Sequence, residues 1–213
     1  MNITKLGHCC LVLEVNGVKI ITDPGNFTEA QNTLTGIHIL LITHEHQDHF
    51  HTQSVAAIVK NNPDIEVVCN KAVAALIAKE NIPCKVSVVS DGESVTAAGV
   101  LIEGFGTEHA PIYGDMGKVE NTGYMVANTF YFPGDNFHAP GKAIEVLALP
   151  VAAPWMKISE CVDFALAVKA KKAFGVHDGM IVESFRPFVG MLLKNFVPDM
   201  EYTALADGES KEF

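Results

Sequence analysis

The sequence predicts an α/β domain of two similar halves, with β-sheets inside and helices outside. Three observations carry that prediction. Each half opens with short β-type runs joined by tight turns and then alternates strand with helix, an order that lays helices over a sheet. No long linker, low-complexity tract or charge block divides residues 1–213, so a single domain is expected. A chain of 213 residues that is 48% hydrophobic and 19% charged can bury a substantial core.

Residues 3–6, 10–15 and 18–22 have the composition of strands, and Asn16-Gly17 between the last two is a two-residue hairpin signal. Gly7-His8 interrupts the first pair, and Thr22-Asp23-Pro24-Gly25 closes the third run as a turn. Residues 26–35 are polar and read as an irregular surface loop. The largely apolar run 37–42, with His38 within it, reads as a buried strand extending to Thr43. A helix is expected over 53–61, a strand over 65–69, an Ala-rich helix over 71–80 and a strand over 85–89. Residues 95–97 and 100–105 form a hairpin signal around Ala98-Gly99. In the second half, 123–127 and 129–133 flank Asn128 as strands, and 144–151 is an apolar strand. Ser159 is a candidate N-cap for a helix over 160–171. A short strand over 173–176 ends at His177. A helix over 184–195 accommodates Pro187 in its first turn, and a strand over 201–205 ends the reading.

Charge and cysteine usage exclude some functions. Acidic residues outnumber basic ones 25 to 15, and Arg186 is the one arginine, a poor endowment for gripping a long nucleic acid. The amino terminus lacks a basic region followed by a long apolar run, and no stretch is long enough to span a bilayer. The expectation is a cytoplasmic protein with no membrane partner. Cys9, Cys10, Cys69, Cys84 and Cys161 are odd in number and form no C-x-x-C pair, so they read as buried reduced thiols.

Residues 43–50 carry the chemistry. His44, His46, Asp48 and His49 stand in the pattern H-x-H-x-D-H, on a loop between strand and helix. In an extended loop, residues two apart project to one side, so His44 and His46 can grip one ion. Asp48 and His49 lie beyond that grip and can face a second. Imidazole with carboxylate suits zinc, manganese or iron. His109, Asp135 and His177 each follow a β run and stand within three residues of a glycine, as expected where a rigid sheet delivers ligands to one rim. Singly each is an ordinary loop residue; with the four motif residues they complete a set of seven.

That ordered set resembles the metallo-β-lactamase superfamily over nearly the whole chain, from Gly7-His8 to about Gly179. Gly7-His8 and the small size are most similar to the branch of ascorbate-6-phosphate lactonase and related small metal-dependent hydrolases. The resemblance implies an αββα sandwich of two mixed β-sheets flanked by helices, with metals at one edge. It implies two divalent ions, zinc foremost with manganese or iron as alternatives. His44, His46 and His109 would hold one, Asp48, His49 and His177 the other, and Asp135 would bridge. In that branch a histidine at the place of His8 lies close to the metals, so His8 is a candidate supporting or substrate-facing residue, with a structural histidine as the alternative. Asp23 matches an aspartate that hydrogen-bonds a ligand histidine, with a plain turn residue as the alternative. Residues 150–158, where relatives place substrate contacts, offer Trp155 and Lys157; an interfacial indole and a solvated lysine are the competing and favoured reading. Residues 178–213 do not read as a flavodoxin-like domain, and neither an inserted helical domain nor a long basic arm is expected within residues 1–213.

The expected function is dinuclear metal-dependent hydrolysis of a small ester, lactone or phosphodiester. Two divalent ions bring about four positive charges, of which Asp48 and Asp135 offset half; the excess lowers the pKa of bound water toward about 7. The resulting hydroxide attacks a carbonyl or phosphoryl centre, and Asp48 or a metal-bound water is the candidate proton donor to the leaving group. A non-hydrolytic iron-binding redox or sensing protein on the same ligands is the alternative. The expected partner is a small molecule, and self-association into a homo-oligomer is left open.

Overall fold

The computed structural model describes all 213 residues. In the first half, β1 (Asn2–Gly7), β2 (Cys10–Val15) and β3 (Val18–Thr22) run antiparallel. Asn16 and Gly17 take φ of 51° and 81° between β2 and β3, the left-handed pair that a two-residue hairpin needs. From β3 onward the pairing turns parallel through β4 (Ile39–Ile42), β5 (Glu66–Cys69) and β6 (Lys85–Val88). The crossovers are α1 (Thr52–Asn61) and α2 (Lys71–Lys79).

The second half repeats this order. β7 (Ser94–Ala97), β8 (Val100–Phe105), β9 (Gly123–Val126) and β10 (Phe130–Phe132) are antiparallel. β11 (Val146–Pro150), β12 (Lys172–Val176) and β13 (Glu201–Thr203) then add in parallel, with α3 (Ile158–Val168) and α4 (Arg186–Phe196) outside. The last strand, β14 (Ser210–Glu212), crosses back to pair antiparallel with β1. Two mixed seven-stranded sheets result, with helices on their outer faces, the expected αββα sandwich.

Burial explains the layering. In β4, Ile39 and Leu41 enter the core between the sheets, whereas Leu40 and Ile42 join the layer beneath α1 and α2. A strand covered on both faces has no polar side, hence the unbroken apolar run. Val55, Ile58 and Val59 of α1 stand at helical spacing and pack in that outer layer. Each such side chain, fully buried, contributes about 1.5–3 kcal/mol. Phe164 of α3 and Leu193 of α4 do the same over the second sheet. Cys9 enters the inter-sheet core and Cys10 the outer layer, as neighbours on a strand must, and no disulfide forms.

Several expected boundaries differ. α3 starts at Ile158 with Lys157 as N-cap, two residues before the expected Ser159 cap, because the Glu160 carboxylate reaches back to the Lys157 N–H (2.6 Å). α4 begins at Arg186, after a 3-10 turn over Glu183–Phe185. The loop expected to be irregular contains a 3-10 turn, Ala30–Thr33. That turn is pinned by the buried Gln31 amide, which donates to Gly25 O (3.0 Å) and Thr28 O (2.6 Å). β14 was not expected. No helix is long and apolar enough to cross a membrane.

Candidate metal centre

Parallel strands present their carboxyl ends to the same rim, and the candidate residues lie there. Asp23 follows β3, the His44–His49 motif follows β4, Asp135 follows β10 and His177 follows β12. His8 and His109 come in after the antiparallel strands β1 and β8. Three of these residues hold left-handed backbone, His8 (φ 54°), Asp23 (φ 34°) and His177 (φ 58°). For residues other than glycine this conformation costs about 1–3 kcal/mol and persists only where the surroundings enforce it.

The motif loop is fastened to the β3 turn. Asn26 N–H donates to Gln47 O (3.0 Å) and His51 N–H to Pro24 O (3.1 Å). Gly25 packs so closely that a Cβ there would lie 1.8 Å from Asp48 O.

Hydrogen bonds fix the imidazole orientations. Asp23 is fully buried and accepts from Thr43 N (2.8 Å), Thr43 Oγ1 (2.7 Å) and His49 Nδ1 (2.6 Å). Since the Thr43 hydroxyl donates to Asp23, its lone pair accepts from His44 Nδ1 at 3.0 Å. His109 Nδ1 donates to Ala110 O, and His177 Nδ1 to Ala152 O at 2.6 Å. Four Nε2 atoms, of His44, His49, His109 and His177, thereby face inward; all are buried and none has a hydrogen-bond partner. Asp135 Oδ1 is orphaned in the same way. Buried polar atoms are almost always satisfied, so five converging orphans fit a site built for cations.

His44, His46 and His109 bring their donor atoms within 4.8 Å of one another, and so do His8, Asp48, His49 and His177. Asp135 stands between the groups. Its Oδ1 is 3.1 Å from His49 Nε2, and its Oδ2 is 3.3 Å from His109 Nε2 and 3.0 Å from His177 Nε2. The Trp155 indole donates to Asp135 Oδ2 at 2.7 Å.

His8 differs from the other histidines. Gly179 N–H donates to its Nδ1 (3.2 Å), so its Nε2 carries the proton and points at Asp48 Oδ2 (3.3 Å). His8 is thus a donor to Asp48, stacked on Phe27 with ring centroids 4.3 Å apart. Burial pushes its pKa down to about 4 and keeps it neutral.

Charge follows from this packing. Burial holds His44 well below the usual histidine range. Burial opposes ionisation of Asp135, yet the charges of His49 and His177 hold its carboxyl well below the usual range. For His177, burial is outweighed by Asp135 and Asp48, and the pKa rises to about 9. Asp48 also stays ionised, because the neighbouring His177 imidazole and the hydrogen bond from His8 overcome the effect of burial.

Lys157 is exposed at the head of α3 and joins no contact at the rim, so of the two residues offered by residues 150–158 only Trp155 reaches the cluster. The favoured sequence reading of Trp155, an interfacial indole, misses this bond. Asp178 turns away from His177 toward Lys5 Nζ (2.6 Å). Sequence reasoning also missed Thr43 and Asn121, whose Oδ1 accepts from Asp135 N–H (3.0 Å).

Residues 2–177 match the Beta-lactamase superfamily domain. The chain belongs to that superfamily. A relative, protein Rv0786c of Mycobacterium tuberculosis, is 32% identical over 191 residues, 87% of this chain and 88% of that protein. Among solved structures, the fold of Igni18, a metallo hydrolase of Ignicoccus hospitalis, superposes with a TM-score of 0.79 at 17% identity, covering 100% of this chain and 98% of that one. An isothiocyanate hydrolase from Delia radicum gut bacteria gives a TM-score of 0.73 at 16% identity, covering 100% and 99%. At these identities the likeness is one of fold.

Proposed function

We propose that this chain is a dinuclear metal-dependent hydrolase acting on a small ester, lactone or phosphodiester. The observation that carries the proposal is the convergence of four unpartnered imidazole Nε2 atoms and Asp135 Oδ1 in one buried space. Their grouping supports His44, His46 and His109 as ligands of one divalent ion, Asp48, His49 and His177 as ligands of a second, and Asp135 as the shared carboxylate. Bound there, divalent ions supply Lewis acidity and bring the pKa of water toward neutrality. Nitrogen and carboxylate donors suit zinc, with manganese and iron as the other choices.

The protein's own residues do the positioning. Asp23, Thr43, Ala110 O and Ala152 O hold four imidazoles in the tautomer that leaves Nε2 free. Trp155 fixes Asp135 through Oδ2. His8 holds Asp48, and the Phe27 ring stacks on the His8 imidazole. Asp48 is suited to staying an ionised ligand, so the leaving-group proton is drawn from water at its partly exposed side rather than from a resting carboxylic acid.

The test is metal content together with hydrolysis of a panel of lactones, thioesters and phosphodiesters. Zinc- and manganese-loaded protein would be run beside Asp135→Ala. Two metals per chain and a class cleaved only by the intact protein would support the reading. Equal turnover by the metal-free variant would overturn it. No turnover, joined to a reversible visible absorption change on reduction of an iron-loaded form, would transfer the site to redox or sensing chemistry.

A further inference from the structure

Lys5 stands at an inward-facing position of β1, between Ile3 and Gly7, where the alternation calls for an apolar side chain. It is fully buried. Its ammonium donates to Gly175 O (3.1 Å) and to Asp178 Oδ2 (2.6 Å), with Asp207 Oδ1 farther off at 3.7 Å. A buried ion pair loses in desolvation much of what it gains in attraction, so stability alone is a poor reason for a lysine here. What the pair fixes is position. β1 belongs to the first sheet and β12 to the second, and Lys5 ties the two together at the rim that carries the candidate ligands.

Three consecutive residues after β12 are held by the end of β1. His177 N–H donates to His8 O (3.3 Å), Asp178 receives Lys5, and Gly179 N–H donates to His8 Nδ1 (3.2 Å). Glycine allows the last approach, since a Cβ at 179 would lie 3.0 Å from His8 Nδ1 and 2.6 Å from the Phe27 ring. Within this clamp His177 keeps φ 58°, a left-handed backbone that its surroundings must enforce. Ala152 O sets the roll of the His177 ring, whereas the backbone that carries the ring is set by its bond to His8 and by Asp178 beside it. Without Lys5, the cation left to Asp178 is Arg186, whose Nη2 stands 3.6 Å from Oδ2 on α4, outside the sheets.

We infer that Lys5 is a positioning residue of the candidate metal centre. Through Asp178 it holds the backbone of residues 177–179 so that His177 Nε2 faces the ion assigned to Asp48, His49 and His177, and so that Gly179 meets His8. This role rests on the reading of His177 as a metal ligand.

The test compares the full chain with Lys5→Met, which removes the charge and keeps the reach, and with Lys5→Met/Asp178→Asn, which leaves no lone buried carboxylate and serves if the single variant fails to fold. Amide hydrogen exchange is followed by NMR on the metal-free proteins, and zinc is titrated against a competing chelator. In the double variant the amides of β4 and β11 should exchange within about threefold of the parent, while those of His177 and Gly179 should exchange about tenfold faster or more. One of the two zinc ions should bind about tenfold or more weakly, as for other groups that orient a ligand, and the second within about threefold of the parent. A purely structural pair would give a different pattern. Exchange accelerated uniformly through both sheets, equal weakening of both ions, or parent-like zinc affinity in the double variant would each overturn the inference. Failure of the metal reading itself shows separately, as a parent chain that takes up no zinc, and would take the role of Lys5 with it.

Discussion

Asp23→Asn tests the orientation argument at its strongest point. The carboxylate accepts three hydrogen bonds in a fully buried position. Asparagine keeps an acceptor toward Thr43 N–H but sets an NH₂ group against His49 Nδ1–H. His49 regains a bond only by moving its proton to Nε2, which then has no lone pair for a metal. Carboxylates behind ligand histidines are worth about 10–100-fold in metal affinity, or about 1.4–2.8 kcal/mol at tenfold per 1.4 kcal/mol. The loss of a hydrogen bond to a charged group, about 1.5–3 kcal/mol, gives the same scale independently. Trp155, the single tryptophan, with Nε1 2.7 Å from Asp135 Oδ2, reports site occupancy by fluorescence in a zinc titration against a competing chelator. The metal-free variant should also melt about 3–12 °C lower, at roughly 2–4 °C per kcal/mol for a chain of this size. Zinc affinity within about threefold of the parent would refute the assignment of Asp23 as the group that sets the His49 tautomer.

Trp155→Phe keeps the ring contact with Phe137, 5.0 Å between centroids, but leaves Asp135 Oδ2 without its donor. Urea unfolding should show a loss of about 1–3 kcal/mol, and cobalt absorbance should show faster metal loss to a chelator. Gly25→Ala forces the β3 turn away from Asp48 O and should cost at least about 3 kcal/mol in the same unfolding assay. Against the resistance of burial, Asp135 raises His177 to about 9, and His49 lies above its usual value for the same reason. The metal-free protein therefore carries protons there at pH 7. Metal loading must release them, so affinity should rise with pH toward 9, by up to about tenfold per unit per proton, and calorimetric enthalpy should depend on the buffer. The stability that the raised His177 pKa confers on the metal-free form is present below about 6.5 and lost as pH climbs through about 9, which thermal melts across that window would show. Burial pushes the Cys69 and Cys161 thiols up to about 12, so alkylation of the native protein at pH 8 should reach the half-buried Cys84 first and all five only in denaturant.

What could be read from the sequence is what neighbouring residues encode. The Asn16-Gly17 hairpin and the two-faced burial of β4 show in local composition, as does the clustering of His44, His46, Asp48 and His49 within six positions. What could not be read depends on distant partners. β14 has no apolar residue, and its place is set by pairing with Asn2, Ile3 and Thr4 at the other end of the chain. The fully buried Lys5 reads as an ordinary strand lysine until Asp178, 173 residues on, is placed beside its ammonium. Trp155 is separated from Asp135 by 20 residues, and nothing local distinguishes an indole that holds a carboxylate from one that covers a core.

The repeat of the two halves explains why the candidate centre is lopsided in ligands yet even in position. β3 and β10 occupy the same place in their sheets, each the last antiparallel strand before the parallel run, and each is followed by an aspartate. Asp23 and Asp135 approach opposite nitrogens of one ring, His49, at 2.6 Å from Nδ1 and 3.1 Å from Nε2. The first-half carboxylate is saturated by Thr43 and left no free oxygen, so it can only orient. Its second-half counterpart receives one side-chain donor, from Trp155, and keeps Oδ1 unpartnered. The same topological position thus yields a fully engaged carboxylate in one half and one with a free oxygen in the other. The difference is made by how many donors each neighbourhood supplies, and that is why Trp155 and Thr43, which lie outside the H-x-H-x-D-H pattern, decide what the two aspartates can do.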